Sequence, residues 1–274
     1  METYIQYTFK PCDTLEQETL IALLSSIGFT GFEQQHEVLI ASIPESQFRD
    51  KDFHLVIPST ATYKKEHIKP TNWNQQWEQS FQPVIIDEYC AIRAYFHEPV
   101  PNVEHDIIIT PKMSFGTGHH ATTFLVIQLM KNISFKNMSV LDFGTGTGVL
   151  AILAEKEGAL EIDAIDNDEW SISNAQENIL ANTCTRIHLK QASGIEAGNL
   201  YDVILANINK HVILANMSEV KQHLKKDGVV VFSGLLSGDE LAISEAGAAN
   251  GLVIVNLELK QSWIALVLKH SIDF

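Results

Sequence analysis

One stretch constrains this chain more than any other: Ser139-Val140-Leu141-Asp142-Phe143-Gly144-Thr145-Gly146-Thr147-Gly148-Val149-Leu150. Val140, Leu141 and Phe143 make a short apolar strand. Glycine then stands at every second position, and an alanine-rich apolar run from Val149 to Ala154 follows. This is the strand, glycine turn and helix of a ligand-binding α/β sheet. Glycines without Cβ atoms let the backbone turn sharply and approach a ligand closely. The free N–H groups at the helix start form a positive pole.

The glycine spacing narrows the ligand. A dinucleotide fingerprint reads G-x-G-x-x-G, but Gly148 comes one position too early for it and Val149 stands where the third glycine belongs. Asp142 precedes the first glycine by two positions. A carboxylate that close would repel a pyrophosphate and suit a cation. S-adenosylmethionine carries an ammonium and a sulfonium, and is the expected cofactor. Asp166 closes the next strand, where a carboxylate can accept two ribose hydroxyls. A glycine loop with a solvated capping acid is the alternative, but it leaves the register of strand, turn, helix, strand and acid unexplained.

The pattern around this unit sets the fold class. Strands are expected at 139–143, 161–166, 186–191, 201–206 and 228–234, with helices at 148–157, 168–181, 209–225 and 238–249 between them. Alternation of this kind implies a parallel sheet. Strands 251–260 and 262–269 leave no room for a crossover and must pair antiparallel. The prediction is an α/β protein: a seven-stranded Rossmann-like methyltransferase domain over 83–274. Asn207 ends the fourth strand and is expected in the same crevice as Gly144, Gly146 and Asp166, because ligands bind outside the carboxyl ends of such strands. Its amide carbonyl would hold an amine N–H; capping the next helix is its other expected role.

Ahead of this domain the signals are weaker. A strand at 4–9, a helix at 15–27 capped by Asp13 or Thr14, strands near 30–35, 37–43 and 53–57, and a short helix near 45–51 suggest a small α+β (ferredoxin-like) module over 1–62 for recognition or dimerisation. Residues 63–82 are expected to link the two, with Thr60 to Pro70 as a polar connector and a helix over 71–82 carrying Trp73, Trp77 and Phe81 on one face. Strands follow at 84–95 and 106–110. Phe115-Gly-Thr-Gly-His-His-Ala-Thr-Thr123 then leads into an apolar helix and reads as a flexible wall of the cofactor pocket, with Thr122 and Thr123 offering hydroxyls; a turn with threonines capping the helix is the alternative.

Composition removes other classes. The 274 residues carry a formal charge of -15 and show no dense basic cluster, which opposes direct nucleic-acid binding and favours a basic partner. No apolar run reaches the length of a membrane span. The start lacks the features of a secretory signal. Cys12, Cys90 and Cys184 are scattered, as expected of reduced thiols in a cytoplasmic protein. The histidines lack ligand spacing, so no metal is expected. A monomer is the expected working unit.

Three motifs resemble a known family, the bacterial methyltransferases of the eleventh large-subunit ribosomal protein: Gly116-Thr-Gly-His-His-Ala-Thr-Thr123, Val140-Leu-Asp-Phe-Gly-Thr-Gly-Thr-Gly-Val-Leu-Ala151, and Asp202-Val-Ile-Leu-Ala-Asn-Ile208. The segment Asn72 to Pro83 is similar to that family's helix between the domains. The resemblance implies that Thr123, Gly144, Asp166 and Asn207 contact the cofactor; Thr122, Asp142, Gly146 and Ile208 are expected beside them from their own positions in the motifs. It also implies an N-terminal module that grips the substrate protein, and methylation of lysine amines and an α-amine. Ala121, Thr145, Asn209 and Ser262 depart from the family's usual proline, cysteine, leucine and acid. Competing expectations are a small-molecule or RNA methyltransferase on the same fold, a non-catalytic cofactor-binding scaffold, and a nicotinamide oxidoreductase, which the glycine spacing disfavours.

Overall fold

The computed structural model describes residues 3–10, 13–68, 81–112 and 114–271. Its backbone divides into two compact units, Met1–Gln79 and Ser80–Phe274.

The first unit runs β1 (Tyr4–Phe9), α1 (Thr14–Ser26), β2 (Gly31–Gln35), β3 (Val38–Pro44), α2 (Asp50–Val56) and β4 (Tyr63–Ile68). The strands pair antiparallel in the order β2-β3-β1-β4, which is the expected ferredoxin-like arrangement. Alternation along β1 buries Ile5, Tyr7 and Phe9 against Leu39, Ala41 and Ile43 of β3. Tyr7 stacks on Phe53 with ring centroids 4.1 Å apart. Helix α1 opens with a capping box: Asp13 accepts from the Glu16 N–H at 2.8 Å, and Glu16 accepts from the Asp13 N–H at 3.0 Å.

Three expectations for this half are corrected. The short helix expected near 45–51 begins only at Asp50, after a turn over 45–47. Residues 53–57, expected as a strand, lie mostly in α2, whose first turn carries Asp50 and Asp52 at the positive helix end. Residues 63–68, expected in the connector, form β4 at the sheet edge beside β1, and Lys64, Lys65 and Glu66 give it the charged character of a protected edge strand. The aromatic helix expected over 71–82 falls, but for Phe81 and Gln82, outside the described residues.

The second unit begins with a three-stranded sheet of β5 (Val84–Ile86), β6 (Cys90–Ala94) and β7 (His105–Ile109). Then follow α3 (Ala121–Met130), β8 (Ser139–Phe143), α4 (Val149–Lys156), β9 (Glu161–Asp166), α5 (Glu169–Ala181), β10 (Ile187–Gln191), β11 (Tyr201–Asn207), α6 (Lys210–His223), β12 (Leu224–Leu236), a single 3-10 turn (Ser237–Asp239), α7 (Glu240–Ala249), β13 (Leu252–Lys260) and β14 (Trp263–His270). The main sheet has the order β10-β9-β8-β11-β12-β14-β13. Its first five strands are parallel, and β14 runs antiparallel to both neighbours.

Alternate strand residues face opposite sides of this sheet. Val140, Ile162, Val203 and Val231 join the core beneath α3, α4 and α5. Leu141, Ile165, Ile204 and Phe232 join the core beneath α6 and α7. The chain winds outward from β8 to β10 and then returns to β11 on the other side of β8. That reversal makes a crevice at the carboxyl ends of β8 and β11. Among the described residues, no helix is long and apolar enough to cross a membrane.

Candidate active site

The crevice is built on the glycine turn. Gly144, Gly146 and Gly148 have φ of 78°, 55° and 80°, a left-handed conformation that favours glycine. The Gly144 and Thr145 N–H groups both donate to the Ile165 carbonyl at 2.9 Å, tying the turn to the end of β9. A Cβ on Gly144 would collide with the Ile208 side chain, and one on Gly146 with the Phe115 carbonyl. Thr147 fastens the neighbouring turn twice: its N–H donates to the Phe115 carbonyl at 2.9 Å and its hydroxyl to the Gly116 carbonyl at 2.7 Å. The wall expected to be flexible is therefore pinned to the glycine turn.

A row of asparagines on α5 supports the same region. Asn182 accepts from the Ile108 N–H at 3.0 Å and donates to the Ile108 carbonyl at 2.6 Å. One turn earlier, Asn178 accepts from the Thr110 N–H at 2.7 Å and donates to the Thr147 carbonyl at 2.8 Å. Asn174 donates to the Thr110 carbonyl at 3.0 Å. These side chains satisfy strand-like backbone groups that would otherwise be buried unpaired.

Asp142 stands behind the turn, which corrects the expectation that it faces the ligand. It alternates with Leu141 and Phe143, so its side chain points under α4. Its Oδ2 accepts from the Thr145 hydroxyl at 2.6 Å and the Ala151 N–H at 3.2 Å. Gly148 caps α4 without a side chain, and Asp142 supplies the missing acceptor from the adjacent strand. Full burial pushes its carboxyl up to about 7, against the pull of those two hydrogen bonds.

A cleft of about 470 Å³ opens above the turn, within the size range of small-molecule sites. Gly144, Gly146, Asp166, Asn207, Ile208 and Thr122, all expected at the site, line it. Asp166 accepts from the Gly146 N–H at 2.9 Å and the Asp168 N–H at 3.0 Å, which holds the carboxylate at the end of β9. Thr123, expected to touch the cofactor, is instead buried behind Asn207 and accepts its amide N–H at 3.2 Å. The Asn207 Oδ1 is buried and has no hydrogen-bond partner among the described residues.

Phe115 and His120 belong to the expected pocket wall, while Trp263, Gly234, Ala192 and Ser193 join the lining without a sequence signal for it. Phe115, His120 and Trp263 form an aromatic side, with centroids 5.2 Å apart for the first pair and 4.6 Å for the second. The His120 Nδ1 accepts from the Thr122 N–H at 3.3 Å and caps α3. Gly234, with φ of 82°, lies against the Ile208 backbone, where a Cβ would overlap the carbonyl. Ala192 and Ser193 follow β10 at the carboxyl edge of the sheet, a position that the switch-point rule alone could have flagged.

These residues suit the expected cofactor. The glycine turn leaves space that any side chain would fill, Asp166 offers carboxylate oxygens beside it, and the unpaired Asn207 oxygen lacks the partner that a buried acceptor needs. A five-stranded parallel sheet extended by an antiparallel strand, with this turn at its switch point, defines an S-adenosylmethionine-dependent methyltransferase. The chain belongs to the ribosomal protein L11 methyltransferase family: residues 7–271 match the family described as Ribosomal protein L11 methyltransferase (PrmA). A ribosomal protein L11 methyltransferase from Bacteroides fragilis is 35% identical over 274 residues, covering 96% of this chain and 98% of the relative. One from Porphyromonas gingivalis is 37% identical over 279 residues, covering 96% of each chain. The crystal structure of a ribosomal protein L11 methylase from Lactobacillus delbrueckii subsp. bulgaricus matches with a TM-score of 0.65 at 30% identity, over 70% of this chain and 100% of that one.

Proposed function

We propose that this enzyme methylates amine nitrogens of ribosomal protein L11, the protein its relatives are named for, at lysine side chains and the N-terminal amine. The observation that carries this reading is the Asn207 amide: the residue lines the cleft, and its buried Oδ1 has no hydrogen-bond partner among the described residues. A neutral amide oxygen there accepts one amine N–H and leaves the nitrogen lone pair free to point at the methyl donor. Gly144, Gly146, Asp166, Thr122 and Ile208 would hold the cofactor, which when bound supplies an electrophilic methyl group on a sulfonium.

The protein's contribution is placement. Methyl transfer needs the amine and the methyl carbon about 3–3.5 Å apart and in line. A lysine enters as an ammonium and must first lose a proton, and burial in a cleft beside a positive charge lowers its pKa. The cleft is open, so the proton passes to solvent. Phe115, His120 and Trp263 line the cleft as an aromatic cluster, a setting suited to the alkyl stem and to a cationic methylated nitrogen. The net charge of -15 attracts a lysine-rich partner and opposes direct contact with nucleic acid. The reading includes a monomeric enzyme working in the cytoplasm, with the N-terminal module, which extends through β4 to Ile68, as the substrate grip and 83–274 as the catalytic domain.

The test is to incubate the enzyme with methyl-labelled S-adenosylmethionine and ribosomal extract, then map the label by peptide mass spectrometry. Label on L11 amines is the expected result. Label in RNA or in small molecules, with L11 unmodified, would replace this reading with the small-molecule or RNA alternative.

A further inference from the structure

Helix α6 begins against the usual rules. Asn209 at its N-cap makes no side-chain capping bond, and its first turn holds no acid. It carries Lys210 and His211 instead, and a cation at a helix N-terminus opposes the macrodipole. Yet the three residues just before it, Asn207, Ile208 and Asn209, line the cleft and must be held in place.

The hold comes from another element. Lys210 Nζ donates to Asp239 Oδ1 at 2.6 Å, with side chains 34% and 16% exposed. The second oxygen of Asp239 accepts from the Leu236 N–H at 2.9 Å. The Lys210 ammonium, with the Leu236 N–H, holds the Asp239 carboxyl below the usual carboxylate range, and the nearby His211 adds to this. Asp239 sits in the turn that leaves β12. The same strand supports the other end of the segment, where the Ile208 N–H donates to the Ser233 carbonyl at 3.2 Å and the Ile208 carbonyl rests on Gly234. Asn207–Asn209 is therefore held at Ile208 by β12 and, through Lys210, by the turn that follows β12.

We propose that Lys210 and Asp239 are positioning residues for methyl transfer: their ion pair sets where the 207–209 segment stands and so the approach of the acceptor amine. The proposal rests on the acceptor role of Asn207. A partly exposed ion pair adds little to global stability, so its loss shows in turnover rather than in melting.

Lys210→Met keeps the alkyl stem and removes the charge, while Asp239→Asn keeps an acceptor for the Leu236 N–H. Each is measured for kcat and KM with L11, for S-adenosylmethionine Kd by calorimetry, and for melting temperature. Each is expected to lower kcat about tenfold with cofactor Kd and melting temperature unchanged. Lys210→Arg is expected to retain kcat. The double variant Lys210→Met/Asp239→Asn is expected to be no worse than either single one, because the two residues act as one unit. Unchanged kcat in the single variants, or a fall that only tracks melting temperature, would overturn the proposal. Asn207→Ala is run alongside: if it alone is impaired, only the ion-pair proposal fails; if it is fully active, the acceptor reading fails first.

Discussion

The hydroxyl of Thr123 accepts the amide N–H of Asn207 at 3.2 Å and ties the amide at the end of β11 to the first turn of α3. With the nitrogen occupied, the oxygen is left as the free acceptor. Thr123→Val removes the partner and lets the amide turn over. We expect kcat for methyl transfer to fall about tenfold, with little change in cofactor Kd because Thr123 does not line the cleft. Thr123→Ser should keep the wild-type rate. Steady-state kinetics beside calorimetry checks both.

Gly146 and Gly198 separate conformational strain from collision. Both have positive φ, 55° and 93°. A Cβ on Gly146 would strike the Phe115 carbonyl, whereas one on Gly198 meets nothing within 4 Å. Gly198→Ala should therefore cost only about 1 kcal/mol from backbone strain and leave cofactor affinity intact. Gly146→Ala should cost more stability and also weaken S-adenosylmethionine binding, since the wall fastened by Thr147 has to move. Urea unfolding and calorimetry on the pair test this.

Asp142 gives a pH dependence whose sign is fixed. Its carboxyl titrates near 3.8 in the unfolded chain and at about 7 in the folded one. Between those values the folded chain binds the extra proton, so stability contributed by this group falls as pH rises through that window. Asp142→Asn keeps an oxygen for Thr145 and Ala151 but does not titrate. The loss of stability on going from about pH 5 to about pH 8 should be smaller in the variant. Equal losses in urea titrations at the two pH values would refute the assignment.

Asn178 joins α5 to both the strand end at Thr110 and the glycine turn at Thr147. Asn178→Leu leaves the half-buried Thr110 N–H and the buried Thr147 carbonyl unpaired, at a cost of about 1–3 kcal/mol for the buried one and less for the other. Chemical denaturation should show the loss, and the S-adenosylmethionine Kd should rise with it because the turn is freed. Stability that drops while cofactor affinity holds would confine Asn178 to a packing role.

Much of this was legible in the sequence because it is local. The run from Val140 to Leu150 specifies strand, turn and helix from neighbouring residues alone, and the short gap between Lys260 and Trp263 forces an antiparallel pair. What failed depended on partners distant in sequence. Phe53, Leu55 and Ile57 alternate like a strand, but Leu55 is 82% exposed and only Phe53 of α2 enters the core. Tyr63 to Ile68 is too polar to signal a strand, and it needs β1 as a neighbour to become one. Asp142 stands beside the glycine turn in sequence, but the pleat of β8 sets its direction and turns it under α4. Gly234 gave no sign of its role, which exists only because the Ile208 carbonyl rests on it.

The most direct measurement is single-turnover methyl transfer from pre-bound S-adenosylmethionine to L11 by Asn207→Ala. With the acceptor oxygen gone, the rate should fall about 100-fold while the protein still binds cofactor. A variant that transfers methyl groups at the wild-type rate would contradict the role given to Asn207.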